Sequence, residues 1–172
     1  DAQGFGFFAG QGGMEVLLCH PFNLAAAQDF SGLIWADLPT ALLPQRDGLP
    51  FPSPQVQQVQ RLSTTGHWAV PVRLPSGNTL WLLTFHASPP VFDGPEDRSG
   101  KRNHDEAAFW SLYLNGEFET VPDGLFVVLG DANLDARKGN GRPEALRALL
   151  EDPRLQDPEP RAVGGIGEAA MD

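Results

Sequence analysis

Two short runs, about 45 positions apart, carry the residue types best suited to chemistry: Phe85-His86-Ala87-Ser88-Pro89 and Gly130-Asp131-Ala132-Asn133-Leu134-Asp135. A carboxylate and a carboxamide two apart point the same way from an extended chain. Together Asp131 and Asn133 offer a hard oxygen acceptor and an amide that can donate to phosphate oxygens. A phosphate ester needs a cation to neutralise charge, a base to orient water and an acid near the leaving oxygen. Mg²⁺ takes few protein carboxylates and keeps water for chemistry. His86, Asp131 and Asn133 are therefore the candidate catalytic residues. Asp131 and Asn133 are candidate ligands for Mg²⁺ or Mn²⁺, and Asn133 is also a candidate phosphate binder.

The elements around these runs must bring them together. Thr79 to Phe85 and Gly124 to Leu129 read as strands, and a helix beginning at Asn103 lies between them. If neighbours, two strands joined through a helix run parallel with a right-handed crossover. Their carboxyl ends then share one edge of the sheet, where open α/β sheets bind ligands. His86 and Asp131 would meet there. Gly124 to Leu129 is continuously apolar, as in a strand from the middle of a sheet. Asn103 and Glu106 have the N-cap and N3 spacing of a capping box. Phe109, Leu112 and Tyr113 form that helix's apolar stripe. His67 to Leu74 pairs with Thr79 to Phe85 as a hairpin about Pro75-Ser76-Gly77-Asn78.

The remaining elements are shorter. Met14 to Cys19 and Leu33 to Leu38 read as buried strands, so the chain's one cysteine is expected inside. Pro44 to Pro54 carries four prolines and reads as loop. Val56, Val59 and Leu62 have helical spacing. Arg142 to Leu150 reads as a helix with Pro143 in its first turn and Leu146, Leu149 and Leu150 toward the core. Residues 152–172 read as a loop-like tail.

Other polar groups compete for attention. Asp131, Asn133 and Asp135 imitate the start of an EF-hand loop, but Ala136 and Arg142 stand where that loop needs glycine and glutamate. A calcium-stabilised structure using Asp131 and Asp135 is a weaker alternative. His104, Asp105 and Glu106 suit a helix's first turn better than a metal. Arg98, Lys101 and Arg102 are the densest basic patch, and Arg98 and Arg102 are candidate phosphate contacts in a loop that starts after His86. His67 and Trp68 are expected to pack, and His20 before Pro21 to lie in a turn.

Composition bounds these readings. The chain has 172 residues, enough for one domain with a core of its own. Its 19 glycines and 16 prolines argue for many turns over a helical bundle. Acids outnumber bases 22 to 12, and a net charge of -10 opposes nonspecific nucleic-acid or anionic-membrane binding. A bound cation can invert that field locally. No stretch is long and apolar enough to span a bilayer, and the sequence assigns no compartment.

The run from Leu80 to Pro89, the helix, and the run from Phe126 to Asp135 resemble the endonuclease/exonuclease/phosphatase (DNase I-like) family. In that family a histidine-terminated strand is followed by a helix and a strand ending in Gly-Asp-x-Asn. Gly10 to Pro21 is similar to the family's earlier glycine-led strand, with Cys19-His20 where Ser-Arg is common. The resemblance implies an α/β (α+β) fold, a two-layer β-sandwich flanked by helices. It implies hydrolysis of a phosphate ester by in-line attack of water, on nucleic acid, a lipid head group or a small molecule. Asp131 would position or deprotonate the water, Asn133 would bind the phosphate, and His86 would donate to a phosphate oxygen or act as general acid. The family's metal-binding glutamate and its terminal Asp-His pair have no counterpart here. Residues 1–172 are accordingly expected to be a single domain, the central part of a larger one, inactive alone and prone to self-association through open sheet edges. The alternative is a non-catalytic binding module on the same scaffold.

Overall fold

The computed structural model describes residues 8, 12–118, 121, 123–138 and 140–159. Its strands are β1 (Gln28–Asp29), β2 (Gln45–Arg46), β3 (Leu49–Pro50), β4 (His67–Arg73), β5 (Thr79–His86) and β6 (Leu125–Asp131). Its α-helices are α1 (Pro54–Gln57), α2 (Arg98–Leu114) and α3 (Glu144–Leu150). The fold is mixed α and β: a four-stranded mixed sheet of order β1-β4-β5-β6, a separate β2-β3 ribbon, and helices. No helix among the described residues is long and apolar enough to cross a membrane.

The expected hairpin forms, with β4 antiparallel to β5 from His67↔Phe85 to Arg73↔Thr79. Gly77 closes the turn at φ 87° and donates its N–H to the Leu74 carbonyl at 2.9 Å. β5 and β6 are parallel neighbours from Leu80↔Leu125 to His86↔Asp131, and α2 makes the connection. One face of this sheet carries Ala69, Leu83 and Phe85 into a core with Trp35, Phe109, Trp110 and Tyr113. Burying each of the large side chains contributes about 1.5–3 kcal/mol. His67 belongs to this core, as expected of a packing histidine, and stacks on Trp110 at 5.6 Å. α3 buries Ala145, Leu146 and Leu149, the first two of them against Ala107 of α2.

Several local expectations are corrected. β6 is not central but lies at the sheet edge. Phe126 and Val128 pack on the core, whereas Leu125, Val127 and Leu129 on the other face are 56%, 37% and 41% exposed. The strand is apolar on both faces, but among the described residues only the face of Phe126 and Val128 packs on the core. α2 begins at Arg98, not Asn103, because the Asp93 carboxylate accepts the free N–H groups of Ser99 (2.6 Å) and Gly100 (2.9 Å). Asn103 and Glu106 are therefore buried helix-interior residues rather than a cap.

Leu33 to Leu38 holds a 3₁₀ turn at Trp35–Asp37. Trp35 and Leu38 both reach the core, and a spacing of three suits a 3₁₀ turn, not a strand. α1 stops at Gln57, leaving Val59 55% exposed, because the backbone of Gln60 and Leu62 bonds to Trp35 and Leu33 at 2.8 Å. The proline-rich segment contains a tight ribbon whose turn, Asp47-Gly48, has both φ values positive. Leu150 is 39% exposed rather than core-facing. Met14 to Cys19 forms no strand, and Cys19 is exposed. The open side of β4 is already met by Phe22 at Val72 and by β1 at Ala69, and Pro21 has no N–H to pair. Asp152 to Glu159 is irregular as expected, while residues 160–172 and Gly10 and Gln11 lie outside the described residues.

Candidate active site at the carboxyl edge of β5 and β6

The parallel register puts His86 directly opposite Asp131. Their side chains face each other, with Nε2 3.9 Å from Oδ2, and are 39% and 62% exposed. Gly130 makes this close approach feasible. It sits at φ 150°, and a Cβ there would collide with the Phe85 carbonyl. The glycine of the Gly-Asp-x-Asn run is thus demanded by backbone contact between the two strands.

Beyond β6 the chain folds back on itself. The Asp131 Oδ1 accepts the Asn133 N–H at 2.7 Å, an Asx turn, and Asn133 adopts φ 50°, which asparagine tolerates. The Asn133 amide donates to the Ala87 carbonyl at 2.9 Å, and the Ala87 N–H donates to the Asp131 carbonyl at 2.8 Å. The loops after the two strands are therefore stitched together. The turn leaves Oδ2 of Asp131 facing His86, and Asn133 Nδ2 keeps a second hydrogen beyond the one given to Ala87. Structural and chemical uses of this pair coexist.

Among the described residues no three His, Cys, Asp or Glu side chains gather as a metal cage. The donors at hand are Asp131 Oδ2 and the Asn133 side-chain oxygen, a set that fits a cation keeping most of its water. Asp135 is turned to its own loop, where its carboxylate accepts the N–H groups of Arg137 (2.6 Å) and Lys138 (3.1 Å). Those bonds hold it below the usual carboxylate range.

The basic patch is corrected. Arg102 is buried, not in a loop. It donates from Nε to the Leu62 carbonyl at 2.7 Å and from Nη2 to the Arg61 carbonyl, lies over the Trp35 ring, and cannot reach a substrate. Arg98 is half-buried in the first turn of α2, and Lys101 bonds the Glu96 carbonyl at 3.0 Å. His104 and Asp105 interact with each other at 2.9 Å, and Asp105 also accepts from Trp35 Nε1 and the Leu42 N–H, both at 2.6 Å. This acid is a structural clamp.

Sequence reasoning missed the side chains of α2 that support the site from behind. Glu106 is fully buried and accepts the Ser88 N–H at 2.6 Å and the Thr64 N–H at 3.4 Å. Burial raises its carboxyl from 4.5 to about 7, against the pull of the Arg102 charge and of these hydrogen bonds. Burial lowers His67 from 6.5 to about 4, opposed by its hydrogen bond with the Glu106 carbonyl. Asn103 is buried with its amide directed at both loops. The available signal was polar residues continuing, at steps of three and four, the buried stripe of Trp110 and Tyr113.

A groove of about 460 Å³ opens at the other end of the sheet, lined by Phe22, Arg73, Thr79, Trp81 and Asp123 among others. It is remote in register from His86 and Asp131, which stand on open surface. Comparison with protein-family models, curated proteins and solved structures returned no match.

Proposed function

We propose that this chain carries the catalytic edge of a metal-dependent phosphoesterase on an endonuclease/exonuclease/phosphatase (DNase I-like) scaffold. The observation that carries the reading is the meeting of His86 and Asp131 across the ends of two parallel strands, 3.9 Å apart and open to solvent. Asp131 Oδ2 orients water and takes its proton as the oxygen–phosphorus bond forms. Asn133 donates its free amide hydrogen to a phosphate oxygen. His86 donates to the leaving oxygen as the phosphorus–oxygen ester bond breaks. Asp131 and Asn133 would hold Mg²⁺ or Mn²⁺, which when bound neutralises phosphate charge. Half-buried Arg98 is the basic side chain proposed to meet substrate. The substrate class is a phosphate ester: nucleic acid, a lipid head group or a small molecule.

The test is hydrolysis of bis(p-nitrophenyl) phosphate and plasmid DNA with Mg²⁺ or Mn²⁺ by the intact protein. Asp131→Ala and His86→Ala should each lower the rate by about 10²–10⁴-fold, the range of a lost acid or base. Equal rates in the variants would sink the assignment.

A second reading, a binding module on the same scaffold, is favoured by one observation: the exposed apolar face of Leu125, Val127 and Leu129 on an edge strand. Such edges pair with other chains. Concentration-dependent self-association in sedimentation, abolished by Val127→Lys, would support it. A monomer at high concentration would count against it.

A further inference from the structure

We propose that Asn103 is a positioning residue that sets the distance between the two site loops, holding both from inside α2. This rests on the phosphoesterase reading for what the loops do, but not for how they are held. The Asn103 amide donates to the Ser88 carbonyl at 2.8 Å and to the Ala132 carbonyl at 2.7 Å. Ser88 lies two residues after His86, and Ala132 lies between Asp131 and Asn133. One rigid, planar NH₂ group thus bridges the chain just beyond each candidate catalytic side chain.

Three observations separate this from ordinary packing. First, the amide has one possible orientation, since two carbonyls demand its two hydrogens. Second, Asn103 is 1% exposed and its Oδ1 has no hydrogen-bond partner among the described residues, an unsatisfied buried acceptor. Asparagine is also a poor helix former. Alanine there would relieve both penalties, so the two donated bonds are what the position gains. Third, the bridge joins a wider lattice. Glu106, one turn along α2, takes the Ser88 N–H, and Asn133 takes the Ala87 carbonyl. Within Ala87-Ser88 the lattice occupies both N–H groups and both carbonyls, the fourth link being Ala87 N–H to Asp131. Partners behind a reactive residue fix its orientation, and losing one lowers affinity or activity by about 10–100-fold.

The experiment compares the intact protein with Asn103→Ala, Asn103→Ser and Asn103→Leu, which present no donor, one donor, and a group of similar size with no donor. Two readouts are taken by NMR. Amide hydrogen exchange at residues 86–88 and 131–133, set against core amides of β4 and α2, reports the bridge without any ligand. Titration with dimethyl phosphate and Mg²⁺ reports the site. The expectation is exchange about tenfold or more faster in both loops, unchanged in the core, graded Leu and Ala above Ser above Asn. Phosphate affinity should fall about 10–100-fold in the same order. If exchange rises evenly through the core, Asn103 merely stabilises, and the proposal is overturned. If neither loop changes in Asn103→Ala, it is likewise overturned. If the unsubstituted protein shows no phosphate-dependent shift, the phosphoesterase reading fails, and loop exchange alone still decides whether Asn103 positions the two loops.

Discussion

Glu106→Gln should change how stability depends on pH, and the buried pair around α2 says by how much. Glu106 titrates near 7 in the fold against 4.5 unperturbed, because burial disfavours its charge. Between those values the folded chain keeps a proton that the unfolded chain has lost, so stability falls as pH rises. The span corresponds to about 3 kcal/mol, present below pH 4.5 and lost by the time pH has passed 7. His67 runs the other way. Its value near 4 against 6.5 means that the unfolded chain gains the proton first, so about 3 kcal/mol is present above pH 6.5 and lost as pH falls to 4. Over the shared window the two slopes nearly cancel, and the unsubstituted protein should show a flat profile between roughly pH 4.5 and 6.5 from these groups. Arg102 is the charge facing Glu106 and stays protonated throughout, at about 10.

Glutamine removes one slope and leaves the other. Its amide oxygen can still accept from Ser88 N–H, while its NH₂ faces Thr64 N–H or Arg102 and adds a cost independent of pH. Relative to the unsubstituted protein, Glu106→Gln should gain about 3 kcal/mol of stability from pH 4.5 to above 7. With a urea slope of about 2 kcal/mol/M, the two midpoints should shift relative to each other by ~1.5 M. Urea unfolding at half-unit steps from pH 4 to 8 measures it. The variant alone should become steadily more stable from pH 4 to 6.5 as His67 is unmasked. Parallel profiles would refute the reasoning, because they would mean that Glu106 is solvated in the fold.

Gly130→Ala should cost roughly 3 kcal/mol or more, since the new Cβ collides with the Phe85 carbonyl at a backbone angle that side chains rarely adopt; a thermal melt within a degree of the original would contradict the register of β5 and β6. Trp35→Phe preserves most of the buried ring but removes the indole donor to Asp105, and should destabilise by about 1–3 kcal/mol with little change in the urea slope.

Much of the candidate site was legible from residue order. A hairpin follows from two strand-like runs and a Pro-Ser-Gly-Asn turn. Two strands separated by a helix-length connection leave little choice but to run parallel when adjacent, so the convergence of His86 and Asp131 could be read before any coordinates. The Asx turn after Asp131 is likewise local, set within three residues, whereas Gly130 answers the Phe85 carbonyl of the neighbouring strand.

What tertiary structure decided was which face of each element meets which neighbour. The same helical periodicity that marks Phe109 and Tyr113 places Arg102, Asn103 and Glu106 inward, and no pattern of apolar residues announces a polar interior. Arg102 looked like a loop cation because its partners, the carbonyls of Arg61 and Leu62, lie some 40 positions earlier in the chain. β6 looked central because both its faces are apolar, yet a strand's own residues cannot say whether a second layer covers them. Periodicity is a property of one segment, whereas burial is a property of two. The candidate catalytic residues sit at segment ends and could be found from the sequence; those that hold them in place depend on the packing of α2 against both loops.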